Sequence, residues 1–267
     1  MSLERCKISV KKCLTGFHDL ASFSITLLES LHTATVFGEI SSANIVGYTT
    51  SSLEAEKWYL IGCNFEKTGE GNLSIQDLVS GIEPASDPSV APTIQYWNGS
   101  ELVTLSYLDF VWSDEANDFI VAWASADLAA VSLDVQPGFG CWLKLPTAAT
   151  ITCAGQVVET ASASREITSN WSLMSSPYPI ALKLNSANFD CSALVASSEA
   201  SEAPTIQYWD GDELISLTYC DFVWSDDAAD FVVAWMDSNM EYCNLSLPPC
   251  TGFWIKSATG GAVNFVR

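Results

Sequence analysis

Two clusters of carboxylates are the densest source of chemistry in the chain. Asp109, Asp114, Glu115 and Asp118 fall within ten residues, and Asp221, Asp226, Asp227 and Asp230 repeat that spacing 112 residues later. A calcium ion takes about six to eight oxygen ligands, so either loop can supply several of them. Neither an EF-hand nor a Gly-Gly-x-Gly-x-Asp pattern accompanies these acids. The competing reading is a pair of solvated acidic loops, with Asp118 and Asp230 opening the next strand. Calcium is the one cofactor these residues point to, and none other is indicated. Paired carboxylates also serve glycosidases, which set one acid and one nucleophile or base about 5–9 Å apart in a cleft. A catalytic centre is seldom kept in duplicate within one chain, however, and a module of about a hundred residues is small for such a cleft. The expectation is therefore a protein that is not an enzyme.

Aromatic residues offer the second kind of chemistry. Trp97, Trp112, Trp209 and Trp224 are candidate platforms for a ligand such as a sugar ring. The ten tryptophans fall into five matched pairs, 58/171, 97/209, 112/224, 123/235 and 142/254. A duplicated ligand platform gives that pattern, and so does a duplicated core, because a buried indole covers about 150–250 Å² and is hard to replace. At least three of the pairs are expected in the core.

Several chemistries are excluded. Both histidines, His18 and His32, precede residue 46, so the rest of the chain can build no Ser-His-Asp triad and no His-ligated zinc site. No Cys-x-x-Cys occurs among the nine cysteines, which removes a zinc ribbon or thioredoxin-type site. Against 32 acidic residues stand 11 basic ones, a net charge of −21 that repels nucleic acid and anionic lipid. No stretch approaches the ~18 uninterrupted apolar residues of a membrane-spanning helix.

What positions these residues is a repeat. Ala91-Pro-Thr-Ile-Gln-Tyr-Trp97 returns unchanged as Ala203-Pro-Thr-Ile-Gln-Tyr-Trp209, and 24 of the 33 positions from 91 to 123 are identical at the same offset. Gly140-Cys-Trp-Leu-Lys144 aligns with Gly252-Phe-Trp-Ile-Lys256, and Trp58-Tyr-Leu-Ile61 with Trp171-Ser-Leu-Met174. No cysteine is matched across the repeat. That argues against a disulfide framework and for thiols acting as small hydrophobes, with Cys243 and Cys250 left as one local pair able to bridge.

Short β-type runs punctuated by Gly, Pro, Asn and Asp fill both copies. Asn98-Gly99 and Asp210-Gly211 predict type I′ hairpin turns. Leu73–Val79, with Ser74 as N-cap, and Asp190–Val195 predict one or two helical turns each. The fold class is all-β: two tandem homologous β-sandwich or small-barrel modules, 46–158 and 159–267, with minor helical turns. Residues 1–45 are electrically neutral and form a leader or a disordered extension. Arg5 to Lys12 followed by Leu20–Leu28 has the basic-then-apolar order of an export signal.

The Trp-x-Leu opening, the Tyr-Trp-Asn-Gly or Tyr-Trp-Asp-Gly centre and the closing Val135-Gln-Pro-Gly-Phe-Gly-Cys-Trp-Leu-Lys144 together resemble a set of uncharacterised bacterial secreted repeat proteins. The second closing segment, Leu247-Pro-Pro-Cys-Thr-Gly-Phe-Trp-Ile-Lys256, departs by placing Cys250 where the first glycine belongs. Ser42–Tyr48 is similar to the start of the mature chain in such proteins. The resemblance spans roughly 39–267 and implies an extracytoplasmic β-rich module with no catalytic residue to transfer. The resulting expectation is a secreted or cell-surface structural or interaction protein with an unidentified protein or glycan partner. The alternative is a carbohydrate-binding protein using exposed Trp and Tyr faces, steadied by calcium.

Overall fold

A computed structural model describes residues 8–10 and 45–267. The export-signal expectation lies almost wholly outside the described residues, of which the short strand Ile8–Val10 pairs with Gly47–Thr49.

The described chain is all-β and contains the same five-stranded antiparallel sheet twice. In the first copy the strands lie in the order Trp58–Gly62, Gly140–Lys144, Thr93–Trp97, Leu102–Ser113, Asp118–Ala124. In the second the order is Ser172–Ser175, Gly252–Lys256, Thr205–Trp209, Leu214–Ser225, Asp230–Met236. A smaller sheet covers one face of each. Val46–Leu53 paired with Ala149–Val157 does so in the first copy, and Ser162–Ile167 paired with Gly261–Val266 in the second.

Period-two alternation decides what goes inside. Along Thr93–Trp97, Ile94 and Tyr96 face the core, while Thr93, Gln95 and Trp97 face away. Ile61, Leu105, Leu143 and Trp123 of the large sheet meet Leu53, Ile151 and Val157 of the small one. In the second copy Ile206, Leu217, Ile255 and Trp235 meet Ile167, Val263 and Phe265. Each fully buried Leu, Ile or Phe contributes about 1.5–3 kcal/mol of transfer free energy, so each copy has a sandwich core of its own.

The faces turned away from the two cores meet each other. Gly62 N–H donates to Cys250 O (2.8 Å), and its repeat equivalent Ser175 N–H donates to Gly138 O (2.9 Å). Ile61 bridges Thr251, and Met174 bridges Phe139. Trp97 packs edge-on to Trp254 with centroids 5.7 Å apart, and Trp209 packs on Trp142 at 5.8 Å. Every contact has a mate with the copies exchanged, which defines a local twofold axis within one chain. The axis explains the closing-motif glycines. A Cβ on Gly140 would stand 2.8 Å from Met174 O, and one on Gly252 would stand 2.7 Å from Ile61 O.

One side chain breaks this symmetry. In the first copy Gly138 N–H donates directly to Cys63 O (2.8 Å). In the second, the fully buried carboxamide of Asn64 is inserted into the equivalent bond, accepting from Cys250 N–H and donating to Ser176 O.

The structure corrects two local expectations, the hairpin turns and the second helical turn. The hairpin turn is shifted by one residue: Asn98 N–H donates to Glu101 O, so Gly99 and Ser100 are central and Gly99 has positive φ (101°). Asn98 caps this turn, its Oδ1 accepting Ser100 N–H and Glu101 N–H, and Asp210 does the same at Gly211. The helical turn Ile75–Leu78 forms, with Ser74 and Asp77 in a reciprocal capping box. Asp190–Val195 forms no helix, because Asp190 pairs with Asn264 in a strand and its carboxylate accepts Ser192 N–H to start a turn. Cys243 and Cys250 do not bridge to each other.

Candidate functional site

The hairpins Leu102–Ala124 and Leu214–Met236 carry the site. Each has a bulge, between Leu108 and Val111 in the first copy and between Cys220 and Val223 in the second. A bulge bends a strand and steepens its twist. Here the strand ends run beyond the cover of the small sheet. Strand Asp118–Ala124 keeps Phe119, Val121 and Trp123 on one face. Trp123 is buried in the core, and the two residues before it on that face emerge into solvent.

Trp112 stands directly across from Phe119 in the ladder, with the rings edge-to-face and centroids 5.4 Å apart. Trp224 and Phe231 make the same contact at 5.4 Å. Exposures match between copies: Trp112 47% and Trp224 48%, Phe119 60% and Phe231 61%, Val121 52% and Val233 53%. The indole is held in place from its edge, since Trp112 Nε1–H donates to Asp114 Oδ1 (2.8 Å) and Trp224 Nε1–H to Asp226 Oδ1 (2.9 Å). Behind each patch sits a small buried cluster, Leu108, Val111, Ala124 and Ala91 in the first copy and Cys220, Val223, Ala234 and Ala203 in the second.

The tryptophans anticipated as platforms divide. Trp112 and Trp224 are exposed, whereas Trp97 and Trp209 are half-buried between the two sheets. Of the five pairs, only 123/235 lies in a sandwich core. The pairs 58/171, 97/209 and 142/254 line the contact between copies, so the expectation of three core pairs is corrected to one core pair and three interface pairs. Phe119 and Val121 were missed in the sequence reading. Their signal was legible, because residues 119, 121 and 123 are apolar at period two and return at 231, 233 and 235.

The carboxylates expected to converge on calcium do not. Among the described residues no group of three or more Asp, Glu, Cys or His side chains is placed to hold a metal ion. Asp109 accepts from Ser86 Oγ (2.8 Å), Asp114 is engaged by Trp112, and Asp118 accepts the N–H of Phe119 (2.7 Å). In the second copy Asp226 and Asp230 repeat the last two bonds. Glu115, Asp221 and Asp227 complete the acidic set without joining these contacts. The cause is local: Asp114 and Asp226 are engaged by their own indoles, Asp118 and Asp230 by the main chain beside them, and Asp109 by Ser86.

No helix of the described residues is long and apolar enough to cross a membrane. No known family model, curated protein or solved structure matches the chain.

Proposed function

We propose that the protein is a non-enzymatic interaction protein that offers two equivalent aromatic binding faces, and that it works outside the cytoplasm. One observation supports this most directly: the Trp, Phe and Val trio is exposed to the same extent in both copies. Leaving six large apolar side chains in water forfeits burial free energy, and contiguous exposed apolar patches rimmed by polar groups mark interaction sites. Tryptophan at the centre of such a patch is the residue type most often found to dominate binding. Duplication within one chain adds avidity wherever the ligand itself repeats. The basic-then-apolar N-terminal stretch supports export.

A carbohydrate ligand is the second reading. It is favoured by the fixed indole, whose edge is held by a carboxylate that still has lone pairs for a hydroxyl group. The test is binding of the whole protein to arrays of glycans and of peptides, with Trp112→Ala, Trp224→Ala and the double variant beside it. A ligand class whose retention falls at least tenfold in each single variant, and further in the double, is expected. If the double variant retains every interaction of the wild type, these faces are not the binding sites and the proposal fails.

A further inference from the structure

Strand Asp230–Met236 is the outermost of its sheet: its inner side pairs with Leu214–Ser225, and on its outer side the C-terminal end is covered, Met236 being bridged to Tyr242. Its main-chain directions follow from three bonds. Trp235 O accepts Cys243 N–H (2.9 Å), Trp235 N–H donates to Asn185 Oδ1 (2.8 Å), and Phe231 N–H donates to its own Asp230 carboxylate (2.8 Å). None of these partners belongs to the neighbouring strand. Because main-chain groups alternate sides along an antiparallel strand, Phe231, Val233 and Trp235 all direct theirs outward. Val233, midway between the two tied-down residues, presents its N–H and C=O at the free edge. A long apolar edge of this kind is normally blunted, because it templates the pairing of another strand.

Beside the edge lies room for that strand. A groove of about 600 Å³ has Val232–Trp235 along one wall and Leu184 to Ser192 along the other. Ser225 and Tyr242 line both this groove and an adjoining cleft of about 520 Å³, whose other walls include Trp224, Asp226, Asp227 and Glu241. Asp226, Asp227 and Glu241 beside Trp224 give this cleft a lining that attracts a cation, by charge pairing and by attraction to the ring. At the positions of Glu241 and Tyr242 the first copy has Ala129 and Ala130, and Ala129 is bridged to Trp112. The acidic cleft is therefore a specialisation of the second copy.

We infer that the second copy binds an extended polypeptide segment of alternating basic and apolar residues, added as a short sixth strand beside Phe231–Val233. Its main chain pairs with the outward groups of Val233, its apolar side chains lie in the groove on the Val232 and Ala234 side, and a Lys or Arg, pointing to the opposite face where Trp224 stands across from Phe231, enters the cleft at Trp224, Asp226, Asp227 and Glu241. Charge complementarity selects a peptide over a neutral glycan: the chain carries −21, and the outward N–H and C=O of Val233 are spaced to pair with another main chain. This inference rests on the reading of the hairpins as binding faces and narrows it to one ligand class at one of them.

The probe is an acetylated, amidated eight-residue peptide alternating lysine and valine, titrated calorimetrically into the whole protein. Three ligands are run beside it: the same peptide N-methylated at alternate amides, the glutamate–valine analogue, and a neutral β-glucan hexasaccharide. Saturable binding is expected for the lysine–valine peptide, with at least a tenfold loss on N-methylation and none detectable for the glutamate analogue. The pair Asp227→Asn with Glu241→Gln weakens binding about tenfold. So does Val233→Pro, which removes an outward N–H and no ladder bond; urea unfolding of each variant confirms that it is folded. Binding that ignores N-methylation is charge adsorption without strand addition and overturns the inference, as does absence of binding. Hexasaccharide binding lost in Trp224→Ala, without peptide binding, overturns it while leaving the broader proposal of two binding faces intact.

Discussion

Gly62 and Ser175 occupy the same position in the two copies and meet across the local twofold axis, so close that a Cβ on Gly62 would lie 2.2 Å from the Ser175 Cβ. The axis has room for one side chain only. Ser175 uses it, donating its Oγ–H to Phe139 O (2.9 Å) within the first copy. Two serines facing each other here would overlap, so the copies are no longer interchangeable. The pair fixes which module carries which residue.

The first prediction follows from that contact. Gly62→Ala forces the two backbones apart and destabilises the protein by about 1–3 kcal/mol in urea unfolding, the usual cost of overpacking. Ser175→Gly in the same chain removes the opposing Cβ and restores part of the loss, giving a favourable coupling in the double-mutant cycle. Simple additivity of the two substitutions would show that the copies are not pressed together at this point.

Much of this architecture was legible in the sequence because it is local or repeated. The strand at Thr93–Trp97 follows from β-propensity and alternation, and the cap at Ser74 follows from the side chains around it. Repetition then declared that two copies of one sheet exist. The role of the half-buried tryptophans was not legible. Trp97, Trp142 and Trp58 alternate with core residues and lie on the face that an isolated sandwich would show to water. Only contact with the second copy covers them, and that contact depends on the axis, which no pattern within either copy encodes. Gly140 and Gly252 were visible as a motif for the same reason, and their cause appeared only when the other copy's carbonyl was seen against them. The acidic loops misled in the opposite sense, since spacing in sequence says nothing about where a carboxylate points once its nearest donor is an indole.

The second prediction concerns those indoles. Trp112 and Trp224 are about half exposed, whereas Trp123 and Trp235 are buried at 3% and 1%. Collisional quenching by acrylamide therefore reports chiefly on the two hairpin residues. Replacing both with Phe should lower the Stern–Volmer slope by about half or more, while changing unfolding free energy by no more than about 0.5 kcal/mol per site, as expected for surface positions. An unchanged slope would mean that the aromatic faces are covered in solution.

The third prediction concerns calcium. Asp109 is tied to Ser86, Asp114 to Trp112 and Asp118 to the Phe119 amide, so these carboxylates are stabilised by protein donors without a cation. The melting temperature should be the same in excess calcium and in excess chelator. A ligand that bound the folded state at 100 times its dissociation constant would add about 2.7 kcal/mol, several degrees, and so could not escape detection.

The fourth prediction is a loss of stability in alkali, and its sign follows from the buried thiols. Burial pushes Cys191 up from 9.0 to about 12, a rise that an interaction with Trp235 only partly offsets. Burial likewise pushes Cys141 and Cys243 up, and it raises the phenols of Tyr107, Tyr208 and Tyr219. An acid whose pKa is higher in the folded state keeps its proton there after the unfolded chain has released it. The folded state then binds more protons than the unfolded state, so stability falls as pH rises. For Cys191 the contribution is intact below pH 9.0 and is lost progressively up to about 12. Each such thiol contributes a slope of about 1.4 kcal/mol per pH unit within its window. Urea midpoints should therefore be level between pH 7 and pH 8 and fall steeply between pH 9 and pH 10. Cys191→Ala separates this from general charge repulsion at −21. The variant loses packing and is less stable at neutral pH, yet its midpoint should fall less on the alkaline side, because one of the titrating groups is gone. Parallel curves for the variant and the wild type would show that Cys191 is not the buried thiol responsible.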